Sequence, residues 1–598
     1  MSSDQELAMQ LEKMRHSAEH VLTYVLMKMY GPDKVIPAMG PATAEGFYFD
    51  FEKDPDLEIN AGIFPKVEKE MQKIINANWQ LAAREMLMSE ALDFFKINPY
   101  KSETLEELGS EGEEKVTIYI LAPAEKIAEL SDDFYVDTHW QEWWDKGYFV
   151  DLCKGPHVEK LTDIKVFRLL RVAGAYWRGD ENNQMLTRIY GTAFANKEEL
   201  EQYLDFLEEA KKRDHKRIGK EQGLFSFEPT SPGCVLWHEK GMVIWDIMEQ
   251  LGQSIRKKYG FVKIKTPVIA KSELWKTSGH YAHYKDDMFI LNVDDHEYCI
   301  KPMDCPFNLQ IFNSGQKSYR DMPVRYTEIG HVYRNEKSGE LNGLFRVREI
   351  TQDDSHILCT EDQVGSEIKN IIQMVKEYYG ILDVEPKFFL STMPDDHMGE
   401  VATWERAEEA LRNALADENI DYDLKEKDGA FYGPKIDVDI KDALGRSWQV
   451  ATIQLDFQLP GRFGCEYVDS DGERKTPVLI HNATFGSFER MIGMLIEHHA
   501  GRFPAWLAPV QIKLLPIADR HVETAVNLQK DLEGKGWRVE VDGRVERLPA
   551  KIRDAQMEQV PYMVVIGDNE IESGKYSVRV REGGEVALSE LTVPSIAT

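Results

Sequence analysis

Apolar side chains at Leu7, Leu11, Met14, Ala18, Val21, Leu22, Val25 and Met29 recur at helical spacing, and Gly31-Pro32 follows as a stop. The pattern predicts a helix over residues 4–29. Mixed structure continues to about Tyr190, and a charged helical stretch over 196–220 reads as a connector. From 225 to about 504 the chain is strand-rich, with long helices between. Beyond Ala508 the pattern alternates: strands over 512–517, 537–541 and 562–566 are separated by helices over 519–533 and 549–558. That order predicts a small α/β domain with a mainly parallel sheet. No internal repeat or low-complexity segment interrupts it.

The 598 residues, 42% of them hydrophobic, are enough for three or more folded domains. Net charge is 72 − 103 = −31, which argues against a uniformly nucleic-acid-binding surface. Basic residues cluster locally, however, at Lys211-Lys212-Arg213, Lys216-Arg217 and Lys220, and again between Arg538 and Arg553. Either run taken alone reads as a solvated helix face. Six scattered cysteines without a CxxC pair fit a reducing compartment. The N-terminus is polar and acidic, unlike a secretory signal. No apolar run approaches a membrane span, so a cytoplasmic protein with no membrane partner is expected.

Two constellations carry chemistry. His16-Ser-Ala-Glu-His20 places two imidazoles one turn apart, opposite the apolar stripe through Leu11, Ala18 and Val25. These histidines are therefore not core residues by default. Asp151-Leu-Cys153-Lys-Gly-Pro-His157 supplies a second close pair. The four ligands make either a zinc set or a metal-free hydrolytic site that orders a water; surface histidines without a role are the bland alternative. The second constellation lies in Lys301-Pro-Met303-Asp-Cys305-Pro, in the run from Tyr333-Arg334-Asn-Glu336 to Gln352-Asp-Asp354-Ser-His356, and in His481-Asn-Ala-Thr-Phe-Gly486-Ser-Phe-Glu489-Arg490. No P-loop is present, so a nucleotide site must use other groups. Arg334, Arg346 and Arg490 suit phosphates as rigid bidentate donors.

Residues 241–267 read as a long helix and a strand ending in proline. Tyr333-Arg334-Asn-Glu336 and Phe345-Arg346 flank a loop, and Gly486-Ser-Phe-Glu489-Arg490 opens an apolar helix. These three segments resemble motifs 1, 2 and 3 of class II aminoacyl-tRNA synthetases. Within that class the chain resembles the threonyl-tRNA synthetase family. Ala173-Gly-Ala-Tyr-Trp-Arg-Gly-Asp180, Tyr284-Lys-Asp-Asp-Met-Phe289, Gly429-Ala-Phe-Tyr432-Gly-Pro-Lys435 and Val560-Pro-Tyr-Met-Val-Val564 add to the match, which covers nearly the whole chain.

The resemblance implies a multidomain α+β and α/β protein: an editing domain over 1–190, a linker helix over 191–224, an antiparallel-sheet catalytic domain over 225–505, and an α/β anticodon-binding domain over 506–598. It implies activation of L-threonine with ATP, transfer to tRNA(Thr), and hydrolysis of mischarged seryl-tRNA. Cys305, His356 and His481 would hold one Zn²⁺. Met303, Gln352, Asp354, Tyr432 and Gln454 would line the threonine pocket. Arg334, Glu336, Arg346, Gln449 and Arg490 would hold ATP with its Mg²⁺, the three arginines acting in catalysis. His16, His20, Asp151, Cys153 and His157 would edit. Arg553, Glu570 and Arg579 would contact the anticodon. Pairing through motif 1 implies a homodimer.

The match has departures. By the resemblance, the sequence is expected to open on the editing domain, where most bacterial relatives open on a ubiquitin-like domain. Phe307-Asn308 replaces the usual Gly-His after Cys305-Pro. Ile350 stands where an aromatic is usual at adenine, Phe49 where a tyrosine is usual in editing, and Val545 where an asparagine is usual at the anticodon. Two rival readings are a stand-alone aminoacyl-tRNA deacylase and a non-catalytic RNA-binding regulator. The intact zinc triad and motif arginines argue against both.

Overall fold

The computed structural model describes residues 3–130, 139–180 and 182–595. The chain divides into two compact units, Met1–Glu208 and Glu209–Thr598.

The first unit is built on helix α1 (Ser3–Tyr30). Strands β1 (Val35–Met39) and β2 (Phe47–Lys53) open one sheet. A second, antiparallel sheet contains β3 (Trp79–Leu87), β4 (Lys115–Pro123) and β5 (Phe149–Leu152), with helix α2 (Pro99–Ser110) between β3 and β4 in sequence. Strands β6 (Val166–Tyr176) and β7 (Met185–Phe194) return to the first sheet, giving the antiparallel order β1-β2-β7-β6. Val21, Leu22 and Val25 of α1 join Phe47, Phe51, Ile118 and Phe149 in one core. The helix matches its apolar pattern turn for turn. From Met14 to Met27 nearly every side chain of α1 is covered, Ser17, Glu19 and His20 included. The face that carries His16 and His20 packs against the segment after β5, as a pocket-lining face does. Phe49 lies in the core, stacked on Phe51 at 4.9 Å.

The charged connector is two helices, not one. α3 (Lys197–Arg213) ends before Asp214, whose carboxylate caps α4 (His215–Glu221) by accepting from Lys216 N and Arg217 N. α4 is docked rather than solvated. Buried His215 contacts Glu497 through Nδ1 at 2.7 Å and accepts from Leu344 N through Nε2 at 3.0 Å.

The second unit contains an eight-stranded sheet. Helix α5 (Glu239–Lys258) leads to the short strand β8 (Val262–Lys263). Helix α6 (Cys305–Phe312) precedes β9 (Val324–Tyr333) and β10 (Glu349–Cys359), and helix α7 (Val364–Ile381) follows them. β11 (Pro386–Ser391), β12 (Tyr422–Lys425), β13 (Lys435–Lys441), β14 (Ser447–Asp456) and β15 (Val478–Ser487) complete the sheet in the order β8-β9-β10-β15-β14-β13-β11-β12. Only the outermost pairs at the two edges are parallel; the pairs between them are antiparallel. Helix α8 (Phe488–His499) starts at Ser487, whose Oγ accepts from Arg490 N at 3.2 Å. Ile244 and Met248 of α5, Ile372 and Val375 of α7, and Ile492 and Leu495 of α8 bury one face of this sheet.

The C-terminal part holds a five-stranded sheet, order β17-β16-β18-β19-β20, from β16 (Ile512–Pro516), β17 (Val539–Val541), β18 (Tyr562–Ile566), β19 (Ser577–Val580) and β20 (Glu585–Ala587). Helices α9 (Val522–Gly534) and α10 (Leu548–Met557) supply the crossovers for the parallel strands. The expected mainly parallel sheet is instead half antiparallel: β18–β19 and β19–β20 run antiparallel. Residues 567–576 are too few for a parallel return, which takes about a dozen or more.

Candidate functional site: two clusters of histidine and cysteine

In the first unit α1 and the segment after β5 bring His16, His20, Cys153 and His157 together, their ligand atoms all within 4.8 Å of one another. Cys153 Sγ lies 3.3 Å from His16 Nε2 and 3.3 Å from His157 Nε2. Gly155 N also donates to that sulfur, at 3.3 Å. His157 Nδ1 meets Ser17 Oγ at 3.3 Å. His20 Nδ1 stands 3.3 Å from Asp151 Oδ2, and Lys101 of α2 holds Asp151 Oδ1 at 2.7 Å. Sequence reasoning missed Ser17, Glu19 and Lys101. Lys101 comes from a segment that nothing but the tertiary fold places here.

The electrostatics split the three imidazoles. Burial, then the His20 charge, lowers His16 to about 4. Burial, with His20 and His16, also depresses His157. Burial opposes charge on His20 as well, but Glu19 and Asp151 outweigh it and hold His20 well above its ordinary value. For Asp151 burial is likewise overcome, here by Lys101 and His20, and its pKa falls. Burial raises Glu19 to about 7. Near neutrality the cluster thus has two uncharged imidazoles beside the Cys153 sulfur and one imidazolium anchored on a carboxylate. That arrangement supplies both a proton acceptor and a cation within one small site.

In the second unit β10 aims Gln352, Asp354 and His356 to one face, because strand side chains alternate. β15 sets His481 directly opposite His356, and β14 sets Gln454 opposite His481. Cys305 begins α6. Cys305, His356 and His481 are all buried, with ligand atoms within 4.8 Å. His356 Nε2 and His481 Nδ1 face each other at 3.1 Å. The other nitrogen of His481 meets Asp456 Oδ2 at 3.0 Å. A carboxylate accepts, so Nε2 carries the proton and Nδ1 presents its lone pair to the cluster. Asp456 was missed by sequence reasoning. Its signal was the Gln454-x-Asp456 spacing, which puts both on one face of β14.

These ligands line a cleft of about 570 Å³ that also collects Met303, Arg334, Glu336, Arg346, Gln352, Asp354, Tyr432, Gln454 and His280. Tyr432 donates to Gln454 Oε1 at 2.6 Å. Burial, then neighbouring His481, lowers His280 to about 3, so it stays neutral. Arg346 pairs with Glu336 at 2.8 Å and Glu340 at 2.9 Å. Arg490 and Gln449 lie beside the cleft rather than in its lining. Arg490 donates to the carbonyls of Phe345, at 3.3 Å, and Gln449, at 3.4 Å. Burial lowers the Arg490 pKa, and the charges of Arg334 and Arg346 lower it further. Three guanidinium groups crowded in this way form a place for an anion. Ile350 is half-buried opposite Val332.

The three expected anticodon residues sit on three elements of the last domain. Arg553 on α10 pairs with Asp554 at 3.3 Å. Glu570 accepts from Gly567 N at 2.9 Å, capping α11 (Asp568–Ser573). Arg579 is exposed on β19. No hydrogen bond or ion pair among the described residues joins them. Val545 is 86% exposed beyond the C-terminal end of β17.

Comparison with known proteins gives these clusters a context. Residues 286–499 match the family model "tRNA synthetase class II core domain (G, H, P, S and T)", 507–593 the "Anticodon binding domain", and 141–190 the "Threonyl and Alanyl tRNA synthetase second additional domain". The threonine--tRNA ligase of Clostridium novyi is 44% identical over 583 residues, 97% of this chain and 87% of that relative. That of Thermotoga petrophila is 43% identical over 573 residues, covering 96% and 85%. Among solved structures, the RNA binding domain of threonyl-tRNA synthetase from Cryptosporidium parvum is 40% identical, with a TM-score of 0.61. It covers 64% of this chain and 99% of that one. Prolyl-tRNA synthetase of Giardia lamblia, 16% identical with a TM-score of 0.50, shares the fold over 64% of this chain and 75% of that one. The relatives' extent, the class II core and the additional domain agree, and the chain belongs to the threonyl-tRNA synthetase family of class II aminoacyl-tRNA synthetases.

Proposed function

We propose that the chain is a threonine–tRNA ligase with a second, hydrolytic site for seryl-tRNA. One observation carries this reading: a single cleft collects a Cys/His/His cluster, hydroxyl-binding side chains and motif arginines. The donor set of one thiol and two imidazoles suits Zn²⁺. His481 is oriented for it by Asp456, as ligating histidines commonly are. Cys305, His356 and His481 would hold the ion, which supplies a Lewis acid for the substrate's amino and hydroxyl groups.

Asp354 would hydrogen-bond the threonine hydroxyl, with Met303, Gln352, Tyr432 and Gln454 closing the pocket. Arg334, Arg346 and Arg490, with Glu336 and Gln449, would hold Mg²⁺-ATP. A threonine carboxylate oxygen then bonds to the α-phosphorus while the bond to the bridging oxygen breaks. Pyrophosphate leaves with the electron pair, and the guanidinium groups offset the charge that builds up. A terminal ribose hydroxyl of tRNA(Thr) next attacks the acyl carbon and AMP departs.

Valine lacks the hydroxyl and would leave Asp354 unpartnered, so it is rejected strongly. Serine lacks only a methyl, a difference of about 1–3 kcal/mol, too small for accurate translation. His16, His20, Asp151, Cys153 and His157 would hydrolyse the seryl ester. Residues 1–190 would form that editing domain, 191–224 the linker, 225–505 the catalytic domain, and 506–598 the anticodon domain, where Arg553, Glu570 and Arg579 would contact RNA.

Met242 of α5, Val262 of β8, and Val268 and Ile269 beyond it are exposed apolar side chains. They support a homodimer through this face. No helix among the described residues is long and apolar enough to cross a membrane, which is in keeping with a cytoplasmic enzyme.

ATP–pyrophosphate exchange across the amino acids, with and without chelator, tests the reading. Threonine should exceed valine by orders of magnitude, and prolonged chelation should abolish exchange. Exchange that is equal for valine would overturn the pocket.

A further inference from the structure

Asp437 on β13 is fully buried next to the groups assigned to ATP, and the chemistry above does not use it. Its carboxylate collects four donors. Oδ2 accepts from Lys435 Nζ at 2.7 Å and from Ser391 Oγ at 2.7 Å. Oδ1 accepts from Gln449 Nε2 at 2.6 Å and from Thr452 Oγ1 at 3.5 Å. A carboxylate has about four lone-pair sites, so all are taken.

This pairing determines which end of the Gln449 amide faces outward. A carboxylate beside an ammonium group accepts hydrogen bonds and donates none. Gln449 must therefore turn its NH₂ toward Asp437 and present its carbonyl oxygen on the exposed side. The Gln449 main-chain carbonyl is meanwhile held by Arg490. A phosphate oxygen at neutral pH has no proton to give a carbonyl. On ATP the donors are the ribose hydroxyls and the adenine amine. Gln449 adjoins Arg490, in the arginine group that favours phosphate. The donors of ATP nearest to its phosphates are the ribose hydroxyls.

We propose that Asp437 is a positioning residue that fixes the Gln449 amide so that its carbonyl oxygen reads a ribose hydroxyl of ATP. The proposal rests on the reading that Gln449 faces ATP. It makes Gln449 a selector of ribose over deoxyribose rather than a phosphate ligand.

The test is threonine-dependent pyrophosphate exchange with ATP, 2′-deoxy-ATP, 3′-deoxy-ATP and inosine triphosphate. Wild type should show kcat/KM about three- to tenfold lower for one deoxynucleotide than for ATP, the range of one neutral hydrogen bond. In Gln449→Ala that share of the discrimination should vanish, with ATP falling toward the deoxynucleotide. Asp437→Asn should lose part of it, because the amide is then free to turn. The double variant should be no worse than Gln449→Ala alone, since both act through one contact. If Asp437→Asn does not fold, Asp437→Glu, which keeps the charge and shifts the acceptor away from the Gln449 amide, provides the same readout.

An equal loss by Gln449→Ala for ATP and both deoxynucleotides overturns the ribose contact. A loss that disappears only with inosine triphosphate assigns the adenine amine instead and also overturns it. Unchanged discrimination in folded Asp437→Asn removes Asp437 from the role. If Gln449→Ala alters no nucleotide at all, the underlying reading that Gln449 faces ATP fails.

Discussion

The two histidine–cysteine clusters are made of the same side chains and differ in what surrounds them. In the first unit Cys153 sulfur is hydrogen-bonded by two imidazoles and by Gly155 N, and the third imidazole is charged by Glu19 and Asp151. In the second unit Asp456 turns a neutral lone pair of His481 toward His356, and burial keeps His356 uncharged. One surrounding manages protons and the other prepares lone pairs for a cation. The difference teaches that the same ligand types can be set in different charge and proton states by the partners of their far atoms.

The sharpest way to break this contrast is Cys305→Ala. It should remove bound zinc and lower threonine activation by about 10³-fold or more, as loss of a metal Lewis acid worth several kcal/mol implies. Hydrolysis of preformed seryl-tRNA should be unchanged. Metal analysis beside exchange kinetics checks both halves, and full activity in zinc-free protein would defeat the assignment.

Next in size is His20→Ala combined with Cys153→Ala. Serine release should fall by about 10²- to 10⁴-fold, the usual contribution of acid–base groups. Threonine activation should not change. Preformed seryl-tRNA and threonyl-tRNA are the substrates to compare, and equal serine release by variant and wild type would make the cluster structural.

Asp456→Asn should weaken zinc affinity by about 10- to 100-fold while leaving the ligands in place. Competition with a graded chelator measures it. A similar change in serine release would contradict the independence of the two sites.

The smallest effect is in the pH profile of serine release. A free histidine would lose its neutral form below about 6.5. His16 is lowered to about 4, so its neutral form persists as pH falls and is lost only near that value. In Glu19→Gln protein, which removes the carboxyl that titrates near 7, release should therefore be nearly flat from pH 7 to about 5.5 and decline toward 4. A decline centred near 6.5 would show that His16 is not held neutral.

Much of this arrangement was legible along the chain. Helical spacing located α1, alternation located β16, β17 and β18, and motif residues identified Cys305, His356 and His481 from widely separated segments. Local rules suffice there, because periodicity and turn residues act over a few positions. Three matters were left to the tertiary structure. The depth to which the segment after β5 buries the His16 and His20 face of α1 is set by the fold. The sheet of the last domain turns antiparallel because a short link cannot cross over. Lys101 and Asp437 have no local signature, and Asp456 has only its spacing from Gln454, since each acts by meeting an atom on another element. Sequence by itself determined which side chains have suitable chemistry and which elements present them. Only the fold decided their charge and orientation, because burial and long-range partners set both.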